Sequence, residues 1–229
     1  MQIPDTMTCV ELTGHGGLDM LQVRTDRPVP SPGPGEVLIA VTAAGVNNTD
    51  INTRTGWYNS GVKSGTTAEG AKDGFGEAGG ATAANAMGDW TVALGFPRIQ
   101  GADCAGRIVA VGEGVDPARI GERVVCAPYV LDPDDATGLE SARFLGADFD
   151  GAFAQYLKAP LAEVFPVTCD WSDAELASIP CAYGTAENAV ARAGIGAGSM
   201  VLITGASGGV SSAAVQLAKR RGAGVIAIT

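Results

Sequence analysis

The sequence predicts an α/β protein in two parts, a long unit of short β-strands followed by the opening of a doubly wound parallel sheet. Three observations carry this. First, Val201-Leu202-Ile203-Thr204 is an apolar run suited to a parallel strand covered on both faces. It enters Gly205-Ala206-Ser207-Gly208-Gly209, after which Val210, Ala214, Leu217 and Ala218 recur with helical period. Second, from Met7 to Val167 short β-branched or alternating runs are separated by Gly and Pro turns, as in an all-β unit. Third, Ser172-Asp173-Ala174-Glu175 has the form of a capping box and starts a helical stretch between the two parts. The boundary is placed near Thr168, giving parts 1–167 and 168–229.

Taken in order, Met7–Leu12 reads as a strand, followed by a turn at Gly14–Gly17 and a short strand at Leu21–Arg24. Pro28–Glu36 carries Pro, Ser and Gly and is a rigid connector. Val37–Ala44 is a strand by its β-branched content. Gly45–Tyr58 turns into a short helix that stops near Gly56, with Asp50 and Arg54 at the i, i+4 spacing of an ion pair. Asn59–Gly95 is rich in Gly, Ala and Thr and reads as a long excursion, either a lid or a mobile loop, with a short helix at 81–90. Strands follow at 101–112 and 123–127, then a polar acidic loop at 133–148, then strands at 151–158 and 164–167. The helix begun at Asp173 breaks at Pro180, a second runs from Thr185 to Ala193, and Gly194–Gly198 leads into the Val201 strand. The run Val225–Thr229 is the next strand.

The 229 residues are 46% hydrophobic with a net charge of −10, a balance that argues against nucleic acid and anionic membranes as partners. No stretch has the length and apolarity of a membrane span. The five cysteines, Cys9, Cys104, Cys126, Cys169 and Cys181, contain no C-x-x-C pair, and no signal peptide is evident. Reduced thiols and a cytoplasmic location are therefore expected. His15 is the sole histidine. It lies in a glycine turn and reads as an exposed turn residue rather than a catalytic one.

A glycine turn that opens a helix presents backbone N–H groups and the positive end of the helix dipole, which suits a pyrophosphate. Set between an apolar strand and a second strand, Gly205–Val210 opens a dinucleotide-binding unit.

These segments in this order resemble the medium-chain dehydrogenase/reductase superfamily, whose members pair a GroES-like β-barrel domain with a Rossmann domain. Within it the chain resembles the zinc-independent quinone oxidoreductase group. The zinc-dependent alcohol dehydrogenases carry a Cys and a Gly-His-Glu where this chain has Asn47 and Gly101-Ala102-Asp103. An amide and a methyl group are not zinc ligands. Cys181 matches the third ligand alone, and Cys126 lacks the close partners of a structural zinc lobe. No metal is expected. Gly45-Val46-Asn47, Asp50, Arg54, Gly56 and Tyr58 look like the quinone-reductase signature, as does Gly205-Ala206-Ser207-Gly208-Gly209-Val210, with Ser211 where a third Gly is usual. The resemblance implies a hydride transferred from a nicotinamide cofactor to a quinone or an α,β-unsaturated carbonyl. It implies that Asn47 and Thr185 contact the nicotinamide, and that Gly205, Ala206, Ser207, Gly208, Gly209, Val210 and Ser211 hold the pyrophosphate. Thr185 also reads as a helix N-cap. Asn47, Asn52 and Thr185 are the candidate catalytic residues; Asn52 stands where the group has a cleft Tyr, which leaves the identity of a side-chain proton donor open. Thr229 takes the place of the acidic residue that selects NAD, and a neutral residue there favours NADPH.

Relatives continue for roughly another hundred residues, so the chain reads as C-terminally truncated, without the sheet edge through which such proteins form homodimers. A zinc-dependent alcohol dehydrogenase with atypical ligands and a non-catalytic nucleotide-binding remnant are the competing readings.

Overall fold

The computed structural model describes residues 2–58, 62–63, 65–75, 94–130 and 142–229. The chain divides into two compact units, Met1–Ala177 and Ser178–Thr229. The first contains β1 (Thr6–Leu12), β2 (Leu21–Pro28), β3 (Glu36–Gly45), α1 (Asn48–Thr55), α2 (Ala68–Asp73), β4 (Arg98–Ile99), β5 (Asp103–Val111), β6 (Arg123–Cys126), β7 (Tyr129–Val130), β8 (Arg143–Phe144), β9 (Tyr156–Pro160), β10 (Val164–Pro166) and α3 (Asp173–Leu176). The second contains α4 (Pro180–Arg192), β11 (Met200–Thr204), α5 (Gly209–Arg220) and β12 (Gly224–Ile228).

The frame of the first unit is an antiparallel five-stranded sheet in the order β10-β6-β5-β3-β9. Alternation along its strands turns one face inward. Val37 and Ile39 of β3, Cys104 and Ile108 of β5, Val124 and Cys126 of β6, and Leu157 and Ala159 of β9 form a single core. Each large aliphatic side chain removed from water there contributes about 1.5–3 kcal/mol. A second sheet has the order β2-β1-β4. Backbone bonds from Val10 N–H to Phe153 O (2.8 Å) and from Gln155 N–H to Thr8 O (3.0 Å) stitch β1 to the segment before β9. The two sheets thereby curl into a half-barrel, where the resemblance implied a GroES-like β-barrel domain.

The strand expected over 151–158 begins only at Tyr156. Before it, the N–H groups of Gly151, Ala152 and Phe153 bond to the carbonyls of Ile99, Gly101 and Gln100, which clamps the entry to β5. The helix proposed at 81–90 and residues 131–141 of the acidic loop lie outside the described residues.

Helix α3 begins where the capping box places it. Ser172 Oγ accepts from Glu175 N–H, and the Glu175 carboxylate accepts from Ser172 N–H at 2.7 Å. It packs on β3 and β5 and is grouped with the first unit, so the compact division falls at Ala177. The following helix starts five residues earlier than expected, at Pro180. Proline fills the first helical position, where its missing N–H costs nothing. Thr185 is consequently an exposed residue inside α4 and not its N-cap.

In the second unit β11 and β12 pair in parallel, Val201 opposite Val225 and Ile203 opposite Ala227. Helix α4 turns Ala182, Ala186 and Val190 inward at successive turns, and α5 buries Ala213 and Ala218. The apolar run of β11 suggests a strand covered on both faces. Met200, Leu202, Ile226 and Ile228 are instead at least 50% exposed, and among the described residues nothing covers that face. No described helix is long and apolar enough to cross a membrane.

Candidate cofactor and substrate site

The predicted site residues fall into two groups, one in each unit. In the first unit the centre is the loop from β3 into α1. Asn47 is the N-cap of α1, with extended backbone and a half-buried side chain. Its N–H donates to Asp50 Oδ2 at 2.8 Å, and its Nδ2 donates to Asp103 Oδ2 at 2.9 Å. Asp50 and Asp103 are 6% and 1% exposed, so Asn47 is held from two sides by buried carboxylates.

Asp50 does not pair with Arg54. Its Oδ1 accepts from Gly101 N–H at 3.2 Å, and its backbone carbonyl accepts from Gln100 Nε2 at 2.9 Å. Burial pushes its carboxyl above the usual range, and the neighbouring Asp103 acts in the same direction. Arg54, 5% exposed, donates to the carbonyls of Gly16 and Ala71. The i, i+4 spacing alone could not reveal that each side chain had a nearer long-range partner. Helix α1 ends at Gly56, as expected.

A Cβ at residue 45 would crowd its neighbours. That atom would lie 2.9 Å from Asp103 Oδ2 and against the Ala177 carbonyl. The absent side chain makes room for Asp103. Neither Gly45 in this steric role nor Asp103 as a partner of Asn47 was read from the sequence. The available signal was an acid heading the apolar strand Asp103–Val111, which must bury its carboxylate or distort the strand.

Asn52 lies well along α1 from Asn47 and is half-buried. Tyr58 donates its hydroxyl to Thr49 Oγ1 at 3.3 Å. Val46, 72% exposed, sets apolar surface beside Asn47. His15 is not an exposed turn residue. Nδ1 bonds to Thr53 O at 2.8 Å, and the ring packs edge-on against Phe96 at 5.0 Å. A pocket of about 300 Å³ lined by His15, Asp19, Thr55 and Asp73 lies toward the C-terminal end of α1 and contains none of the predicted site residues.

At the two positions compared above with zinc ligands the side chains are an amide and a methyl group. Asn47 turns its amide nitrogen to Asp103, and the next position is the buried methyl of Ala102. Among the described residues no three His, Cys, Asp or Glu side chains gather as a metal-holding group.

In the second unit the glycine turn has the form expected of a phosphate cradle. Gly205 has φ +60°, a conformation open to glycine. Ala206 N–H donates to Ile228 O (2.9 Å), which brings the end of β12, and Thr229 after it, beside the turn. Gly208 is the N-cap of α5 and Gly209 its first residue, so the helix begins one residue before Val210. The first N–H groups of α5, around Gly209, Val210 and Ser211, have no partner within the helix. The first intrahelical bond is from Ser212 N–H to Gly208 O, at 2.8 Å. Ser211, in place of a third glycine, donates its hydroxyl to Thr204 O at 3.2 Å and ties the helix to the strand it must approach. Ala206 and Ser207 complete the turn. These residues form one cluster with Thr229, while Thr185 stands on α4 of the same unit. Such a turn can hold the phosphates of a dinucleotide through backbone N–H groups and the helix dipole.

Comparison with known proteins bears on the whole chain. It is 32% identical over 141 residues to the acryloyl-coenzyme A reductase of Metallosphaera sedula, an alignment covering 58% of this chain and 42% of that protein. It is 28% identical over 207 residues to the L-galactonate-5-dehydrogenase of Escherichia coli K12, covering 87% and 50% respectively. A solved structure from Sinorhizobium meliloti 1021, provisionally assigned as an alcohol dehydrogenase, superposes with a TM-score of 0.83 at 45% identity and covers 99% of this chain and 58% of its own. The chain thus spans about half the length of the curated relatives it matches. Residues 33–169, the segment that carries β3, α1, Asn47 and Asp103, match the family of the alcohol dehydrogenase GroES-like domain. The chain belongs to that family, among the alcohol dehydrogenase-like proteins of the medium-chain dehydrogenase/reductase superfamily.

Proposed function

We propose that the protein is an oxidoreductase that reduces a quinone or an α,β-unsaturated carbonyl without zinc, using NADPH in preference to NADH. The observation that carries this reading is the Asn47 amide bound to Asp103, in the place where the zinc-dependent relatives put a thiolate. NADPH, when bound, supplies a hydride. The glycine turn and the head of α5 hold its pyrophosphate, and Thr229, being neutral, does not repel a 2′-phosphate. By the resemblance, Asn47 and Thr185 would each contribute to holding the nicotinamide end. Without a Lewis acid at Asn47, catalysis rests on orientation, and on acceptors whose conjugated carbon takes hydride readily. Val46 offers such an acceptor an apolar surface. Asn52 carries no dissociable proton at neutral pH, so water supplies the proton that completes the reduction.

The acryloyl-coenzyme A reductase relative supports this reading, since an acryloyl group is an α,β-unsaturated acyl group. The L-galactonate-5-dehydrogenase relative favours the second reading, a dehydrogenase acting on an alcohol, for which a zinc with atypical ligands would be needed. Purified protein assayed for NADPH oxidation with menadione, alongside metal analysis, separates them. Turnover without stoichiometric zinc is expected, while bound zinc with alcohol oxidation would overturn the proposal. Neither turnover nor quenching of protein fluorescence by NADPH would leave the non-catalytic reading. Thr229→Asp is expected to lower the NADPH/NADH affinity ratio about tenfold by setting a carboxylate against the 2′-phosphate. An unchanged ratio would remove Thr229 from the cofactor site.

A further inference from the structure

We infer that Asp103 is a positioning residue, which fixes the Asn47 carboxamide in one of its two orientations and so decides which of its polar atoms is presented for recognition. For its catalytic arm this rests on the proposed reductase activity, but the positioning itself does not.

The two ends of an asparagine amide are nearly equal in size, and only hydrogen-bond partners tell them apart. Here the partners are the buried Asp103 carboxyl, which accepts from Nδ2, and the Asp50 N–H of the α1 capping box, from which the Asn47 side chain accepts. With Nδ2 toward Asp103 Oδ2 the contact is a charge-assisted bond of 2.9 Å. Flipped, Oδ1 would face a carboxylate oxygen at the same separation, in a site where Asp103 is only 1% exposed to water. The flipped state is therefore disfavoured: the amide oxygen is turned to the α1 cap, and the second N–H of Nδ2 is left facing away from Asp103.

The main chain of Asn47 is fixed independently. Asp50 accepts from its N–H, and Gly101 N–H anchors Asp50 in turn. With Asp50 serving the helix cap, the cap does not require the side-chain bond to Asp103. Two buried acids close to one another raise the cost of ionising both, and Asp103 adds to the rise in the Asp50 carboxyl. A site that carries this cost, and leaves residue 45 without a side chain so that Asp103 fits, is built to hold an amide in register.

The test uses Asp103→Ala, which removes the acceptor, and Asp103→Asn, which keeps an acceptor oxygen at the same place. The Asn47 side-chain amide is observed by NMR on isotope-labelled protein, assigned by its loss in Asn47→Ala. In Asp103→Ala its protection from hydrogen exchange is expected to fall about tenfold, whereas Asp103→Asn stays within about threefold of the parent. In the menadione assay kcat is expected to fall about tenfold in Asp103→Ala with NADPH affinity unchanged, and Asp103→Asn restores it. An Asn47 amide that keeps its resonance and protection in Asp103→Ala would overturn the inference. So would loss of protection in Asp103→Asn, which decides the matter if the alanine variant does not fold. An active parent whose kcat is unaffected by Asp103→Ala would equally overturn it. If the parent protein does not turn over menadione, the reductase reading fails alone and the NMR result still decides the role of Asp103.

Discussion

Asp50 gathers the N–H groups of Asn47, Gly101 and Ala102 around a carboxylate that is 6% exposed. Burial outweighs these bonds and raises its folded pKa above the unfolded value of about 3.9. Between the two values the folded state binds more protons than the unfolded one, so the slope of stability with pH is negative. The contribution of Asp50 is fully present below the unfolded pKa and is lost as pH rises through the folded one. Asp50→Asn lacks this titration. Urea unfolding from acid to neutral pH is expected to show the stability difference, parent minus variant, shrinking as pH rises, and a difference that grows would contradict the assignment. Gly45 makes a steric prediction at the same scale. Gly45→Ala forces a methyl against the Ala177 carbonyl and the Asp103 side chain, at a cost of about 2–3 kcal/mol measurable in the same unfolding experiment. Neither residue's role could be deduced from spacing along the chain. Asn47 is near Asp50 in sequence, but Gly101 and Ala102 and the neighbours of Gly45 lie some fifty or more residues away, and only the β3–β5 pairing brings Gly45 opposite Asp103.

At the scale of elements, what was legible in the sequence is what local chemistry determines. Val37–Ala44 reads as a strand because a β-branched run between turns has few alternatives, and the structure gives Glu36–Gly45. Ser172 and Glu175 satisfy each other's backbone donors within one turn, so α3 starts where four residues say it should. Pro180 is the ambiguous signal. A proline breaks a helix from inside and starts one from its first position, and Thr185 further on offers a second plausible cap. Packing of Ala182 and Ala186 resolves it in favour of the earlier start. The β11–α5 turn allows a clean test of conformation without crowding. Gly205 has φ +60°, and a Cβ added there would meet nothing within 4 Å, so Gly205→Ala incurs only the left-handed backbone penalty of about 1–2 kcal/mol. A loss of stability well beyond that in urea unfolding would mean that the turn is held by contacts rather than by backbone conformation.

For the molecule as a whole, the two units bury different kinds of core. The first unit encloses Val37, Leu38, Ile39, Ile108, Val124 and Leu157, each at most 2% exposed. The second buries chiefly Ala182, Ala186, Ala213 and Ala218 with Val190, while Leu202, Ile226 and Ile228 of its strands stay exposed. Apolar area removed from water is the main source of stability, and alanine contributes little of it. The backbone bonds of β11 and β12 are also edge bonds of a two-stranded sheet, whereas β3 and β5 each have a strand on either side. Opening free energy should follow both differences. Hydrogen exchange followed by mass spectrometry is expected to show residues 200–228 exchanging well before 36–45 and 103–111. On the proposed cofactor assignment, saturating NADPH is expected to slow exchange selectively around Gly205–Ser211, because a ligand that binds only the folded turn stabilises it by mass action. Equal protection of the two units in the absence of cofactor would show that the second unit draws stability from something other than its own alanine-rich core.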